Sequence, residues 1–381
     1  MRILLIGEFS RLHNSLKEGL ELLGHQVCIV ANGDGFKNFP VDLSTKAKLS
    51  KSKIGNIIRQ IIFRITKFDI ATLEFGIRFY FHIKKLKKFD IVQLINEAPI
   101  QTFPSLERYL LKKIFKQNNK VYLLCCGVDY LVAKHLIEKK ERYSIMNPYF
   151  ENPNSKKEYQ FILDYLSDNH KKTHNLVYEN IKGVYASDID YVNPIKNEKK
   201  YLGLVPNPIN IDRIKNSETQ IKDKIIIFLG INRGTYFTKG ITFFEDALKI
   251  IKDKYNEKIE IIIAESLPYN EYVKLNNKAH IILDQVYGFD QGYNALEAMA
   301  KGKVVFTGAE KEFYEYYNLK EKVAVNALPD VDYLVHQLSI LIENPNEIIT
   351  FGRRAKDFIE MEHDYKVVTE KFIEIWQKEN G

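Results

Sequence analysis

Arg233 and Lys239 stand six residues apart in GINRGTYFTKG (230–240), directly after the apolar run IIIFLG (225–230). A strand that leaves through Gly230 and turns into a helix near Gly240 sets backbone N–H groups and a positive helix end beside the turn, where anions bind. Arginine offers a diphosphate a planar fork and lysine a point charge. On its own the loop fits a solvated turn equally well, and it matches neither a Walker P-loop nor a GxGxxG fingerprint. A second stretch, QVYGFDQGYNALEAMAKGKVVFTG (285–308), adds the missing half. Gly288 and Gly292 punctuate a loop, a helix begins near Tyr293, and Glu297 lies in its early turns. A carboxylate there can accept two hydrogen bonds from a vicinal diol such as ribose. Two loop–helix units with cationic and carboxylate ends in one α/β domain point to a sugar-nucleotide or dinucleotide site.

The elements that must position these groups are short apolar runs alternating with helical patterns. They are RILLIG (2–7), QVCIVA (26–31), DIVQLI (90–95), KVYLLCCG (120–127), GVYAS (183–187), IIIFLG (225–230), EIIIAE (260–265), HIILD (280–284) and KVVFTG (303–308). Continuous apolar character marks strands covered on both faces, hence parallel sheets with crossover helices and an α/β architecture throughout. A chain of 381 residues suits two domains. The stretch 201–224, with two prolines and no period, is the expected boundary. The last helix, 363–378, presents Val367, Val368, Phe372, Ile375 and Trp376 on a face that needs a cover.

At these residues the chain resembles GT-B glycosyltransferases, and most of all glycosyltransferase family 4. LEAMAKGKVV (296–305) resembles the family's LEAMAxGKPVV, and the Gly230, Arg233, Lys239, Gly240 turn resembles its diphosphate loop. RILLIGEFSRLHNSLKEGLELLGHQVCIV (2–30) is similar to the family's first βα unit, and LVPNPIN (204–210) to its VxPNGVD. The resemblance runs over most of the chain. It implies two facing Rossmann-like domains with parallel sheets: an acceptor domain, 1–205 plus the helix 363–381 crossing back to it, and a nucleotide-sugar domain, 206–362. It implies Arg233, Lys239 and the helix start at Gly292 on the donor diphosphate, Glu297 on the nucleoside, and Asp290, Gln291 or Asn294 on the transferred sugar. Asp129, and His13 in the first βα loop with Glu8, Ser10, Arg11 and Asn14, are the expected catalytic residues, orienting sugar or acceptor, with a structural role equally open for His13. Retention of anomeric configuration follows from the resemblance, with the leaving phosphate serving as base.

Two positions depart from the family pattern. Phe289 stands where the family carries a first glutamate eight residues before the second, and CCGVD has Cys126 in place of the histidine of HGxD. The rival readings are a sugar-nucleotide epimerase of the same fold and a sugar-nucleotide-binding protein without turnover. No metal or other cofactor is expected. Asp188 and Asp190 in DID read as loop caps or solvated carboxylates, DVD (330–332) as a helix start, and Cys126 as an inert thiol with no base nearby.

Composition narrows the partners. Three cysteines, Cys28, Cys125 and Cys126, suggest neither a disulfide framework nor a zinc site, so a reducing cytoplasm fits. The first apolar segment is strand-sized and lacks a cleavage site, so no signal peptide is expected. Within the net charge of +7, residues 46–88 hold twelve Lys or Arg, Lys67 among them, against Asp69 and Glu74. That asymmetry points to an anionic partner, and no aromatic platform or known module suggests a nucleic acid. IGNIIRQIIFRI (54–65) spaces isoleucines as one helix face. Such a face either packs on the first sheet or lies on an anionic membrane. Together these features suggest transfer of a sugar from a nucleotide-sugar to a glycan or lipid-linked acceptor, in bacterial surface polysaccharide or glycoconjugate synthesis. The expected location is cytoplasmic and peripheral on the plasma membrane.

Overall fold

The computed structural model describes all residues except 36, 67, 215–219, 266, 268 and 379–381. Lys67, part of the expected boundary segment and the end of the last predicted helix lie outside the described residues.

The first sheet has the order β3-β2-β1-β4-β5-β6-β7. Its strands are β1 Arg2–Ile6, β2 Gln26–Ala31, β3 Leu43–Ser44, β4 Ile91–Leu94, β5 Val121–Cys125, β6 Gly183–Ala186 and β7 Tyr201–Leu204. The second has the order β12-β11-β10-β8-β9, from β8 Ile225–Ile231, β9 Ile259–Glu265, β10 Ile281–Leu283, β11 Val304–Thr307 and β12 Val325–Asn326. All pairings are parallel, for example Leu4↔Val92 and Ile227↔Ile281. Of the continuous apolar runs, β4, β5, β6 and β11 are buried throughout, as expected of strands covered on both faces, whereas the edge strand β9 leaves Ile263 exposed and β2 is buried only in its second half. Sequence reading missed the edge strands β3, β7 and β12. β7 falls inside the stretch expected to be a linker, and its Gly203 has φ +107° beside an irregularity in the β6–β7 register. A strand that short at an edge leaves no periodic signal.

The last helix crosses back and packs on α1, Leu12–Leu22. Val368, Phe372 and Trp376 join Ile3, Leu5 and Leu16 in one apolar cluster. Gly19 permits the approach, because a Cβ there would lie 2.1 Å from Thr369 Oγ1. The two chain crossings run side by side, with Ile209 N donating to His363 O and Tyr365 N to Ile209 O.

The isoleucine helix, α2 Lys53–Thr66, differs from a packed crossover helix. None of its residues is buried, and Ile54, Ile57, Ile58, Ile61 and Ile65 all face solvent. It turns back along α3, Ile70–His82, which carries the contacts to the rest of the domain. Among the described residues no helix is long and apolar enough to cross a membrane.

Candidate active site

In parallel α/β sheets ligands bind at the carboxyl ends of strands, where the strand order reverses. In the second sheet that point lies between β8 and β10, since β9 sits on the other side of β8. Lys239, from the loop after β8, reaches across it to Asp284, the residue following β10, with Nζ 2.6 Å from Oδ1. Thr307 Oγ1, at the end of β11, donates to the other oxygen of Asp284 at 3.3 Å. Gly240 is required here by its φ of +63° and because a Cβ would lie 2.2 Å from the Val286 side chain. Arg233, in a short 3₁₀ turn, is exposed and forms a two-pronged pair with Glu265 at 2.6 and 2.7 Å. The structure therefore brings both predicted cations to one sheet edge but gives each its own carboxylate. Glu265 and Asp284 were not singled out from the sequence; an acid closing a strand run, as in HIILD, was the available signal.

Gly292 caps the helix Tyr293–Ala300, and Glu297 follows one turn later. Glu297 accepts no hydrogen bond among the described residues. Burial raises its pKa, against the lowering influence of Lys301, Lys37 and Arg11. The last two belong to the first domain, so the carboxylate looks across the cleft. Tyr293 ties the seam together: its hydroxyl donates to Pro208 O at 2.8 Å and lies 2.9 Å from Ser15 Oγ on α1.

The loop 285–292 is otherwise committed to the opposite domain. Asp190 accepts from the backbone N–H groups of Phe289 and Asp290 at 3.0 and 3.1 Å, and Asp290 accepts in return from Ile189 N at 3.0 Å. Sequence reading expected the DID acids to be solvated or local caps; Asp188 does stand at the start of the short helix Ile189–Tyr191, but Asp190 is neither and instead joins the two domains. Burial raises the pKa of Asp188, Asp190 and Asp290, the last two to about 7 and about 6, and repulsion from the neighbouring acids adds to the rise at Asp188 and Asp190. Of the residues expected on the transferred sugar, Asp290 has both oxygens engaged by backbone, Gln291 donates to Gly308 O and leaves its Oε1 unpartnered, and Asn294 is exposed. Phe289, replacing the family's glutamate, lies under the guanidinium of Arg142 at 4.8 Å and against the ring of Tyr143 at 5.2 Å. Arg142 continues to Glu310 and Glu312, and Tyr143 donates to Glu310. A cavity of about 180 Å³ opens beside this clamp, lined by Asp188, Asp190, Tyr143 and Phe289 among others.

Asp129 and His13 are both fully buried. Asp129 caps the helix Tyr130–Ile137 by accepting from Val132 N at 2.9 Å, and its other oxygen accepts from Cys125 Sγ at 3.3 Å. His13 donates from Nδ1 to Gly7 O at 2.7 Å and accepts at Nε2 from Gln93 at 3.1 Å; Gln93 accepts from Tyr185, which accepts from Trp376. Burial lowers the His13 pKa to about 4, so the ring is neutral. Any influence of these two residues on a ligand runs through the elements they hold. Glu8, in the same loop, accepts twice from Asn14 through one oxygen and leaves the other buried without a partner. Burial pushes the Cys126 thiol up to about 12, which keeps it protonated. Among the described residues no group of three or more His, Cys, Asp or Glu side chains is arranged to hold a metal ion.

Two facing Rossmann-like domains with parallel sheets and a helix returning to the first define the GT-B fold. A family model described as glycosyl transferase-like matches residues 239–374, a segment that begins at Lys239 and takes in Asp284, Gly292 and Glu297. Sucrose-phosphate synthase from Thermosynechococcus elongatus is similar over 99% of this chain and 98% of that one, with a TM-score of 0.61 and 13% identity. Anabaena HepE, solved with UDP and glucose, gives a TM-score of 0.58 at 11% identity over 99% of this chain and 100% of its own. UDP-GlcNAc 2-epimerase from Neisseria meningitidis, bound to UDP-GlcNAc, gives 0.52 at 13% identity over 99% and 100%. No curated protein matches the sequence.

Proposed function

We propose that the protein is a glycosyltransferase of the family 4 type, moving a sugar from a nucleoside-diphosphate sugar to a glycan or lipid-linked acceptor with retention. The observation that carries the reading is the Lys239–Asp284 pair set across the switch point, one loop from the helix that begins at Gly292 and carries a partnerless Glu297. Three features suit a nucleotide-sugar: a cation over the crevice, a helix N-terminus, and a free carboxylate for a ribose diol.

In the proposed reaction the bond between the anomeric carbon and the diphosphate oxygen breaks, and its electron pair leaves with the diphosphate. Lys239, Arg233 and the helix end stabilise that charge. The acceptor hydroxyl forms the new bond on the same face, and its proton passes to the departing phosphate oxygen. No step calls for a metal ion. Polysaccharide or glycoconjugate synthesis on the cytoplasmic side of a membrane is the proposed setting.

The test is a thermal-shift panel of nucleotide-sugars followed by transfer to candidate acceptors. A ligand at about 100-fold its Kd adds ~2.7 kcal/mol of stability. No shift with any nucleotide or nucleotide-sugar would overturn the reading. Interconversion of the bound sugar without an acceptor would assign the epimerase instead, and binding without either reaction the non-catalytic reading.

A further inference from the structure

We infer that the helical pair α2–α3 is a docking surface for an anionic lipid bilayer. Along α2, Ile54, Ile57, Ile58, Ile61 and Ile65 recur at three- and four-residue intervals and form one stripe, yet Ile54 and Ile65 are 74% and 78% exposed. Phe81 on α3 and Leu49 in the preceding loop, each 74% exposed, extend it. Between the helices runs a groove of about 540 Å³ lined by Ile58, Leu73, Ile77 and Phe81. An apolar surface of this extent needs a cover.

Charge decides the occupant. Arg59 is engaged by Asp69 and Arg78 by Glu74. Among the described residues Lys48, Lys51, Lys53 and Arg64 beside the stripe have no carboxylate in ion-pair reach, nor do Lys84, Lys85, Lys87 and Lys88 just after α3. Protein interfaces are depleted in lysine, whereas an apolar helix face rimmed by unpaired cations fits acyl chains beneath phosphate headgroups.

The surface is built as a unit. Glu74 accepts from the backbone N–H groups of Lys48, Leu49 and Ser50 at 2.8–3.0 Å, fixing the loop that presents Leu49. The Arg59–Asp69 pair ties α2 to the start of α3. Gly55 lets the loop close, since a Cβ there would lie 1.9 Å from Leu49 O. The loop leaves the carboxyl end of β3, and parallel pairing puts that end on the same sheet edge as the loops after β1 and β2. Docking would therefore lay the acceptor side of the cleft near the bilayer. This last point rests on the transferase reading; the docking itself does not.

Co-sedimentation of the full chain with vesicles of phosphatidylglycerol and phosphatidylcholine tests it, against phosphatidylcholine alone. Wild type pellets with the anionic vesicles, and binding falls steeply as salt rises. Each lost cation costs about fivefold, so replacing Lys84, Lys85, Lys87 and Lys88 by serine weakens binding by roughly 600-fold. Ile57→Ser with Ile61→Ser abolishes it, while circular dichroism and any nucleotide thermal shift stay as in wild type. Failure of wild type to pellet at low salt, or pelleting indifferent to both variants, overturns the proposal. Self-association that Ile57→Ser with Ile61→Ser removes, without vesicle binding, would give the face to a second copy. A missing nucleotide shift with intact vesicle binding would sink the transferase reading alone.

Discussion

Lys239 Nζ lies 2.6 Å from Asp284 Oδ1 and spans the gap between the ends of β8 and β10. The cation is thereby aimed over the crevice with its charge offset, and in the proposed function an incoming anion displaces the carboxylate. Arg233 stands in the same relation to Glu265. Both cations of the proposed donor loop are thus paired with acids from the neighbouring strands.

Lys239→Ala should weaken binding of nucleoside diphosphates by roughly 1.5–3 kcal/mol, about 10- to 150-fold, as expected for a charge-assisted contact. Titration calorimetry with UDP and GDP checks this. Wild-type affinity in the variant would remove Lys239 from the diphosphate.

Glu265→Gln should bind nucleotide at least as tightly as wild type, and Arg233→Ala more weakly. The two-pronged Glu265 pair competes with phosphate for the same guanidinium. Weaker binding in Glu265→Gln would mean that the acid orients Arg233 in the bound state as well.

Transfer should survive EDTA, because the proposed counter-charges to the departing diphosphate are Arg233, Lys239 and a helix end. Loss of activity on chelation, restored by Mn²⁺, would require a metal in the reaction.

Phe289→Ala should lower the melting temperature and cost about 3 kcal/mol, since the ring is buried between Arg142 and Tyr143. Transfer should suffer more than nucleotide affinity, because the clamp joins the two domains whereas the donor cluster lies in one. An equal loss of both would place Phe289 in the donor site itself.

Acid should destabilise the protein through its buried histidines. His363 donates from Nδ1 to Asn207 O, and burial lowers its pKa from 6.5 to about 4. Between those values the unfolded chain binds the extra proton and the native chain does not, so stability falls as pH drops through the window. The full effect is about 3 kcal/mol per histidine, and His13 acts in the same direction. The difference in melting temperature between pH 7 and pH 4.5 should be smaller in His363→Gln than in wild type. An unchanged difference would exclude His363.

The layer architecture was legible in the sequence because buried parallel strands leave continuous apolar runs, and all nine runs read that way became strands. The loop that brings Lys239 to the sheet edge was legible in part, because Gly240 marks a left-handed backbone turn that few residue types permit and charged residues beside it are few. Edge strands of two or four residues carried no such signal.

Pairing between distant segments was decided only in three dimensions. Local pattern says that Asp190, Phe289 and Glu310 lie in or beside loops; it cannot say that the first two bond to each other or that Arg142 stacks on Phe289 while gripping Glu310. It likewise placed Asp129 and His13 near the cleft, whereas packing sealed both into hydrogen-bonded interiors. The isoleucine stripe of α2 makes the same point in reverse. Helical spacing established that one face is apolar, but whether that face meets a sheet or solvent depends on where α3 and its neighbours pack, which no period within α2 encodes.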